Sequence, residues 1–166
     1  MGEILDRAVA ALKALPKEDR ERIASEIIER LEDKSEWDRL VSSEKSRKWL
    51  EEEAKHALSA YSKISMRMTR NLISLPPANN RIRGESYWRY FDELPEEVRV
   101  QAEKNYKLWK ENPKDPSLRF KQIHSTMPIY SYRVGLRYRT VGVQADDGRI
   151  VWFWIGPFES YAKIID

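Results

Sequence analysis

The sequence predicts an α+β chain. An all-helical N-terminal segment over 1–61 is followed by a linker over 62–82 and a domain over 83–166, in which two helices pack on a small antiparallel sheet. Three observations carry this reading. Apolar residues recur at three- and four-residue spacing through residues 1–60. The stretch "SLPPANNRIRG" (74–84) interrupts that pattern with prolines, asparagines and a glycine, all turn formers. Beyond Pro113, short β-branched and aromatic runs separated by turn signals replace the helical period.

Taken in order, Ile4, Leu5, Ala8, Val9, Leu12 and Leu15 form one apolar stripe. Pro16 ends it and suits the first turn of the next helix. Ile23, Ile27, Ile28 and Leu31 form a second stripe. Ser35 is placed to cap a short helix around Trp37, Leu40 and Val41, and Ser43 a last one carrying Trp49, Leu50, Ala54, Ala57 and Leu58. Short helices of this kind bury little apolar surface alone, so the segment is expected to be ordered by a partner. After the linker, "SYWRYFDEL" reads as one or two helical turns. "LPEEVRVQAEKNYKLWKENP" reads as a long amphipathic helix with Val98, Ala102, Tyr106 and Trp109 on one face, ended by Pro113. Strands are expected over 118–123, 128–135 and 137–145, a turn at "DDG" (146–148) and a central strand at "RIVWFWIG" (149–156). "ESYAKIID" closes the chain as a helical turn, and the helices are expected on one face of the meander.

Composition narrows the function classes. The 166 residues suffice for one ordinary domain or two small ones, and 34% charged residues fit a globular chain. No apolar run approaches the ~20 residues of a membrane span. The N-terminus lacks a secretory pattern, and Asp6 stands where a myristoylation motif needs Ser or Thr. The absence of cysteine removes disulfides, thiolate zinc sites and cysteine nucleophiles, and fits a cytoplasmic protein. His56 and His124 are too far apart in sequence to suggest a metal cluster, so no metal and no cofactor are expected. The net charge of +3 conceals an asymmetry: residues 1–63 carry 13 Lys/Arg against 15 Asp/Glu, while residues 64–166 carry 17 against 12. A basic half suits nucleic acid, and an acidic half suits the basic one.

Residues 116–145 hold five basic residues and no acid. Strand alternation puts Tyr130, Tyr132 and Val134 on one face and Ser131 and Arg133 on the other. In the next strand Arg139 and Val141 oppose Tyr138 and Thr140, so Arg133 and Arg139 come together across the hairpin if the register allows. Two adjacent guanidinium groups call for an anion, and phosphate matches their geometry. The alternative is pairing with helix carboxylates such as Glu97 or Glu103. Lys121, His124, Tyr130, Tyr132, Tyr138 and Tyr161 surround the same stretch; tyrosines beside arginines suit an unstacked RNA base and its phosphate, or else simply pack the sheet. His124 is a surface histidine or, by its titration range, an acid–base group.

These residues resemble a known family. "LPEEV" opening a helix, "NPKDPSLRFK" after it, "YSYRVG" and "RYRTVGV" on strands, and "WFWIG" near the end are similar to bacterial toxins of the RelE/ParE superfamily, HigB/RelE-like in type. "LPKEDRERIASEIIERLED" and "EWDRLVSSEKSRKWLEEEAKHAL" resemble the companion antitoxins. The resemblance implies a type II toxin–antitoxin fusion. Its toxin part would be a metal-free, ribosome-dependent mRNA endonuclease that arrests translation, with ribosome and mRNA as partners. The antitoxin part would wrap the toxin within the chain or through a domain-swapped homodimer, with no membrane involved. Arg133 and Arg139 match basic positions of the family and would stabilise the phosphorane. Lys121 would position the backbone, with Arg137 and Tyr132 as further RNA contacts. Tyr161 would stack on a base or donate a proton, and His124 or Glu159 would serve as base. Glu51, Glu52 and Glu53 would occupy phosphate positions in the inhibited state. Pro157 and Phe158 depart from the family, which has a serine and a histidine there. Phenylalanine carries no proton, so the alternative is an inactive or gyrase-inhibiting, ParE-like interaction module.

Overall fold

The computed structural model describes residues 2–70 and 82–166. The chain forms two compact units, Met1–Glu36 and Trp37–Asp166. The first holds α1 (Glu3–Ala14) and most of α2 (Lys17–Ser42). The Pro16 carbonyl accepts the Arg20 N–H at 3.0 Å, so proline opens α2 as its fixed φ favours. Ile4, Leu5, Val9, Ile27, Ile28 and Leu31 of the two stripes are exposed. Instead of ending before Ser35, α2 runs unbroken through it to Ser42. Ser43 does cap α3 (Glu44–Arg70), accepting the Ser46 N–H at 3.2 Å. The N-terminal part thus has three helices where four were expected. α3 also continues to Arg70 through residues expected to be linker, and residues 71–81 of that span lie outside the described residues.

The second unit is α+β around a five-stranded sheet of order β1-β5-β4-β3-β2. Its elements are β1 (Ile82–Arg83), α4 (Glu85–Asp92), α5 (Glu96–Glu111), a 3₁₀ turn (Pro116–Leu118), β2 (Lys121–Gln122), β3 (Ile129–Arg133), β4 (Tyr138–Gln144), β5 (Ile150–Pro157) and α6 (Phe158–Ile165). The sheet is mixed rather than antiparallel, because β1 pairs parallel to β5 through Ile82↔Val151 and Arg83↔Trp152. Two residues carry no period of their own, so β1 is invisible without its partner strand. The strand expected over 118–123 shrinks to two residues, because the Asp115 side chain accepts the Ser117 N–H and starts the 3₁₀ turn.

Helices cover both faces of the sheet rather than one. Tyr87 of α4 and Ala102, Tyr106 and Trp109 of α5 pack on Tyr132, Val134, Trp152 and Ile155. On the other face Trp37 and Val41 of α2, Leu50, Ala54 and Tyr61 of α3, and Phe158 and Tyr161 of α6 pack on Ile129, Val141, Phe153 and Trp154. The β4–β5 register shifts between Val141, opposite Trp154, and Gly142, opposite Trp152, so Phe153 is the extra residue of a bulge. The bulge places Phe153 and Trp154 in one core although they are consecutive. Gly142 is required there: a Cβ would lie 2.6 Å from the Trp152 ring. Gly156 likewise yields its side-chain space to Trp154, whose ring would come within 2.8 Å of a Cβ.

Candidate functional site

The basic residues of β2, β3 and β4 lie in two cross-strand rows on one face. Lys121 is the partner of Ser131, which is the partner of Val141, itself opposite Trp154. Beside it, Arg133 is the partner of Arg139, which is opposite Gly156. Directly opposed residues point the same way in an antiparallel pair, so Lys121, Ser131, Arg133 and Arg139 share a face. Arg133 and Arg139 are buried, with only 8% and 3% of their surface exposed. Arg133 Nε donates to the Gly135 carbonyl at 2.8 Å. Arg139 Nη1 donates to the Tyr138 carbonyl at 3.0 Å, and its guanidinium lies 5.1 Å from the Phe158 ring and 5.7 Å from the Trp37 ring. Glu103 binds Arg83 at 2.6 Å.

This face is covered by residues of the N-terminal segment. Trp37 is buried, nearly parallel to Phe158 at 5.3 Å and to Trp154 at 6.3 Å, with Tyr161 edge-on at 5.1 Å. Its Nε1–H donates to Ser131 Oγ at 3.2 Å. The neighbouring Asp38 carboxylate forms an ion pair with Lys121. Glu51 Oε1 lies 3.1 Å from His124 Nε2. His124 is buried, and its Nδ1 accepts the backbone N–H of Met127 at 3.0 Å and of Thr126 at 3.2 Å. A neutral imidazole has one donor and one acceptor, so Nε2 carries the proton toward Glu51.

The remaining candidates fall elsewhere. Arg137, in the β3–β4 turn with a left-handed φ of 61°, donates to Glu159 Oε1 from Nε at 3.0 Å and from Nη2 at 2.7 Å. Its guanidinium lies 5.1 Å from the Phe158 ring. The Glu159 carboxyl is held below its usual range, first by its own backbone N–H at the start of α6 and then by Arg137. Tyr161 is buried, with its hydroxyl 2.5 Å from Ser46 Oγ, and burial pushes its pKa up. Its ring meets Trp37, Trp49 and Trp154 edge-on. Tyr132 lies on the opposite face, as strand alternation expects, buried and stacked on Trp109 at 5.8 Å, which removes it from the RNA contacts named for it. Of the three glutamates, only Glu51 reaches the site. Glu52 is exposed, and Glu53 lies 3.9 Å from His56 on its own helix.

A second contact ties α3 to the sheet. The Tyr61 hydroxyl donates to Asp147 Oδ2 at 2.5 Å, while Arg149 Nη1 donates to the same carboxylate at 2.6 Å and to the Tyr61 oxygen at 2.9 Å. Burial opposes ionisation of Asp147, but the Tyr61 and Arg149 hydrogen bonds outweigh it and hold the carboxyl below its usual value. A carboxyl lowered in the folded state contributes its full stability above the ordinary Asp range near 3.9 and loses it as pH falls through the folded value. Asp147→Asn is therefore expected to lower Tm by about 2–4 °C at pH 7. In melts taken at stepwise lower pH, the gap to the wild type should close.

Sequence reasoning missed Trp37, Asp38, Ser46 and the Tyr61–Asp147–Arg149 contact. A tryptophan flanked by acids in "EWDRL" was the available signal for the first two. Among the described residues, no group of three or more His, Cys, Asp or Glu could hold a metal ion, and no helix is long and apolar enough to cross a membrane.

No family model and no curated protein matches the chain. Among solved structures, it is similar to a RelB-RelE antitoxin-toxin complex from Methanococcus jannaschii, with 16% identity and a TM-score of 0.43 over 51% of this chain and 99% of that one. It is also similar to an archaeal RelE-RelB complex from Pyrococcus horikoshii OT3, with 15% identity and a TM-score of 0.40 over 48% of this chain and 96% of that one.

Proposed function

We propose that the chain is a toxin–antitoxin fusion whose domain 83–166 is a ribosome-dependent mRNA endonuclease held inactive by segment 1–61. The observation that carries this reading is the cover over the basic face. Asp38 binds Lys121, Glu51 faces His124 and Trp37 lies beside Arg139, so carboxylates stand where RNA phosphates would lie. RNA cleavage without a metal needs a base for the 2′-hydroxyl, positive charge on the phosphorane and an acid for the leaving oxygen. Arg133 and Arg139 supply the charge and Lys121 positions the backbone. With Glu51 withdrawn, His124 can act as the base in the tautomer that frees Nε2, which gives up the Thr126 and Met127 N–H bonds to Nδ1, Glu159 being the second candidate. A specific observation favours the runner-up, a binding or gyrase-inhibiting module: Phe158 sits 5.1 Å from both the Arg137 and Arg139 guanidinium groups and has no proton to transfer.

A protease site placed between Pro76 and Pro77 separates the two parts after folding. The released C-terminal part, added to a cell-free translation reaction, is expected to cut mRNA at ribosome-occupied codons, with rescue by the N-terminal part. Intact mRNA from a folded fragment that still binds its N-terminal part would overturn the nuclease reading, and a gyrase supercoiling assay then tests the other.

A further inference from the structure

The cover on the basic face has the chemistry of a nucleotide. Trp37 contributes a flat fused bicycle, the size class of a purine. It lies near-parallel to two aromatic rings, as a base would in an aromatic cluster. Its one polar atom donates to a hydroxyl, Ser131 Oγ, at the floor of the site. The next residue, Asp38, places an anion on Lys121, where the phosphate attached to a base would fall. The Arg139 guanidinium flanks the indole as it would a base. Trp154 adds a buried indole N–H without a hydrogen-bond partner among the described residues, and the ring leans over Gly156, next to Arg139 in the same row.

We propose that the space filled by Trp37 is a nucleobase slot of the RNA-binding face, selective for a purine 5′- or 3′-monophosphate unit, and that Trp37-Asp38 excludes RNA by imitating that unit. Trp154, Phe158 and Tyr161 form its aromatic walls. Ser131 reads a base edge, either accepting an N–H or donating to a ring nitrogen, and Lys121 takes the phosphate. A pyrimidine leaves part of the bicyclic space empty and forfeits stacking area. The inference rests on reading this face as RNA-binding, but it concerns binding alone and requires no cleavage.

The test uses the full chain carrying Trp37→Ala together with Asp38→Ala, which frees both the slot and Lys121, and calorimetric titration with AMP, GMP, CMP, UMP, adenosine and indole. Indole reports whether the slot persists once the side chain is removed. The expected result is indole binding, with AMP or GMP binding about ten-fold or more tightly than CMP or UMP, and no purine binding by the wild type. Ser131→Ala added to this double variant should weaken the purine nucleotide about ten-fold. Lys121→Ala should remove the advantage of AMP over adenosine. Should the double variant fail to fold by circular dichroism, Trp37→Val with Asp38→Ala retains part of the apolar filling and carries the same series. Indole binding without purine binding would overturn the proposal, since the space would then be indole packing only. Equal binding of purines and pyrimidines would overturn the selectivity, and binding of neither indole nor nucleotide would show that no preformed slot exists. Purine binding by a chain whose released domain leaves mRNA intact would sustain the slot and sink the nuclease. The reverse pair of results would do the opposite.

Discussion

Arg139→Ala in the released C-terminal part is expected to lower mRNA cleavage by about 100- to 1,000-fold, the loss that follows removal of one preorganised group from a developing anion. Arg139 is directly opposite Arg133 and its Nη1 donates to the Tyr138 carbonyl, contacts internal to the released part that hold the guanidinium before any substrate arrives. Arg139→Lys keeps the charge but not the planar two-pronged donor, and should recover only a minor part of the rate. Codon-resolved mapping of mRNA ends measures the effect. Circular dichroism of each variant separates lost chemistry from lost fold. A cleavage rate unchanged by Arg139→Ala would remove the arginine pair from the mechanism.

Trp37→Ala and Trp109→Ala are each expected to cost about 3–5 kcal/mol, the usual range for truncating a buried large aromatic. Both side chains are essentially inaccessible, but they serve opposite faces of the sheet. Trp109 packs edge-on against Trp152 at 4.6 Å and stacks on Tyr132 under α5, on the face opposite the basic rows. Trp37 lies on the basic face itself. Urea melts should therefore show similar losses, while only Trp37→Ala should make the full chain inhibit cell-free translation. Equal inhibition by both variants would mean that general loosening releases the activity, and that Trp37 has no special part in the cover.

Several features were legible in the sequence because they depend on neighbours a few residues away. The two-residue alternation in "YSYRV" and "RYRTV" put Arg133 and Arg139 on a common face, and their pairing in register follows from the short turn between β3 and β4. The long helix ended by Pro113 and the apolar β5 are local patterns of the same kind. The same alternation already set Tyr132 apart from the arginines, so its place among the RNA contacts conflicted with the strand pattern itself. One residue from Arg133, it points to the other side of the pleat.

By itself, then, the sequence determined the order of elements from α4 to α6, the acid-free basic hairpin and the side of the sheet on which its arginines stand. Periodicity and turn chemistry act over a few residues and need no knowledge of the rest of the chain. What covers that hairpin was decided only by tertiary structure. Trp37 meets Ser131 across 94 residues of sequence, Asp38 meets Lys121 across 83 and Glu51 meets His124 across 73. β1 exists only because β5 offers it a parallel edge, and α2 runs through Ser35 although a helix start was expected there. Hydrophobic burial is non-directional, so a stripe of apolar residues states that a face will be covered but not by what. The partner is set by which distant side chains fill the space and which charges neutralise the basic rows.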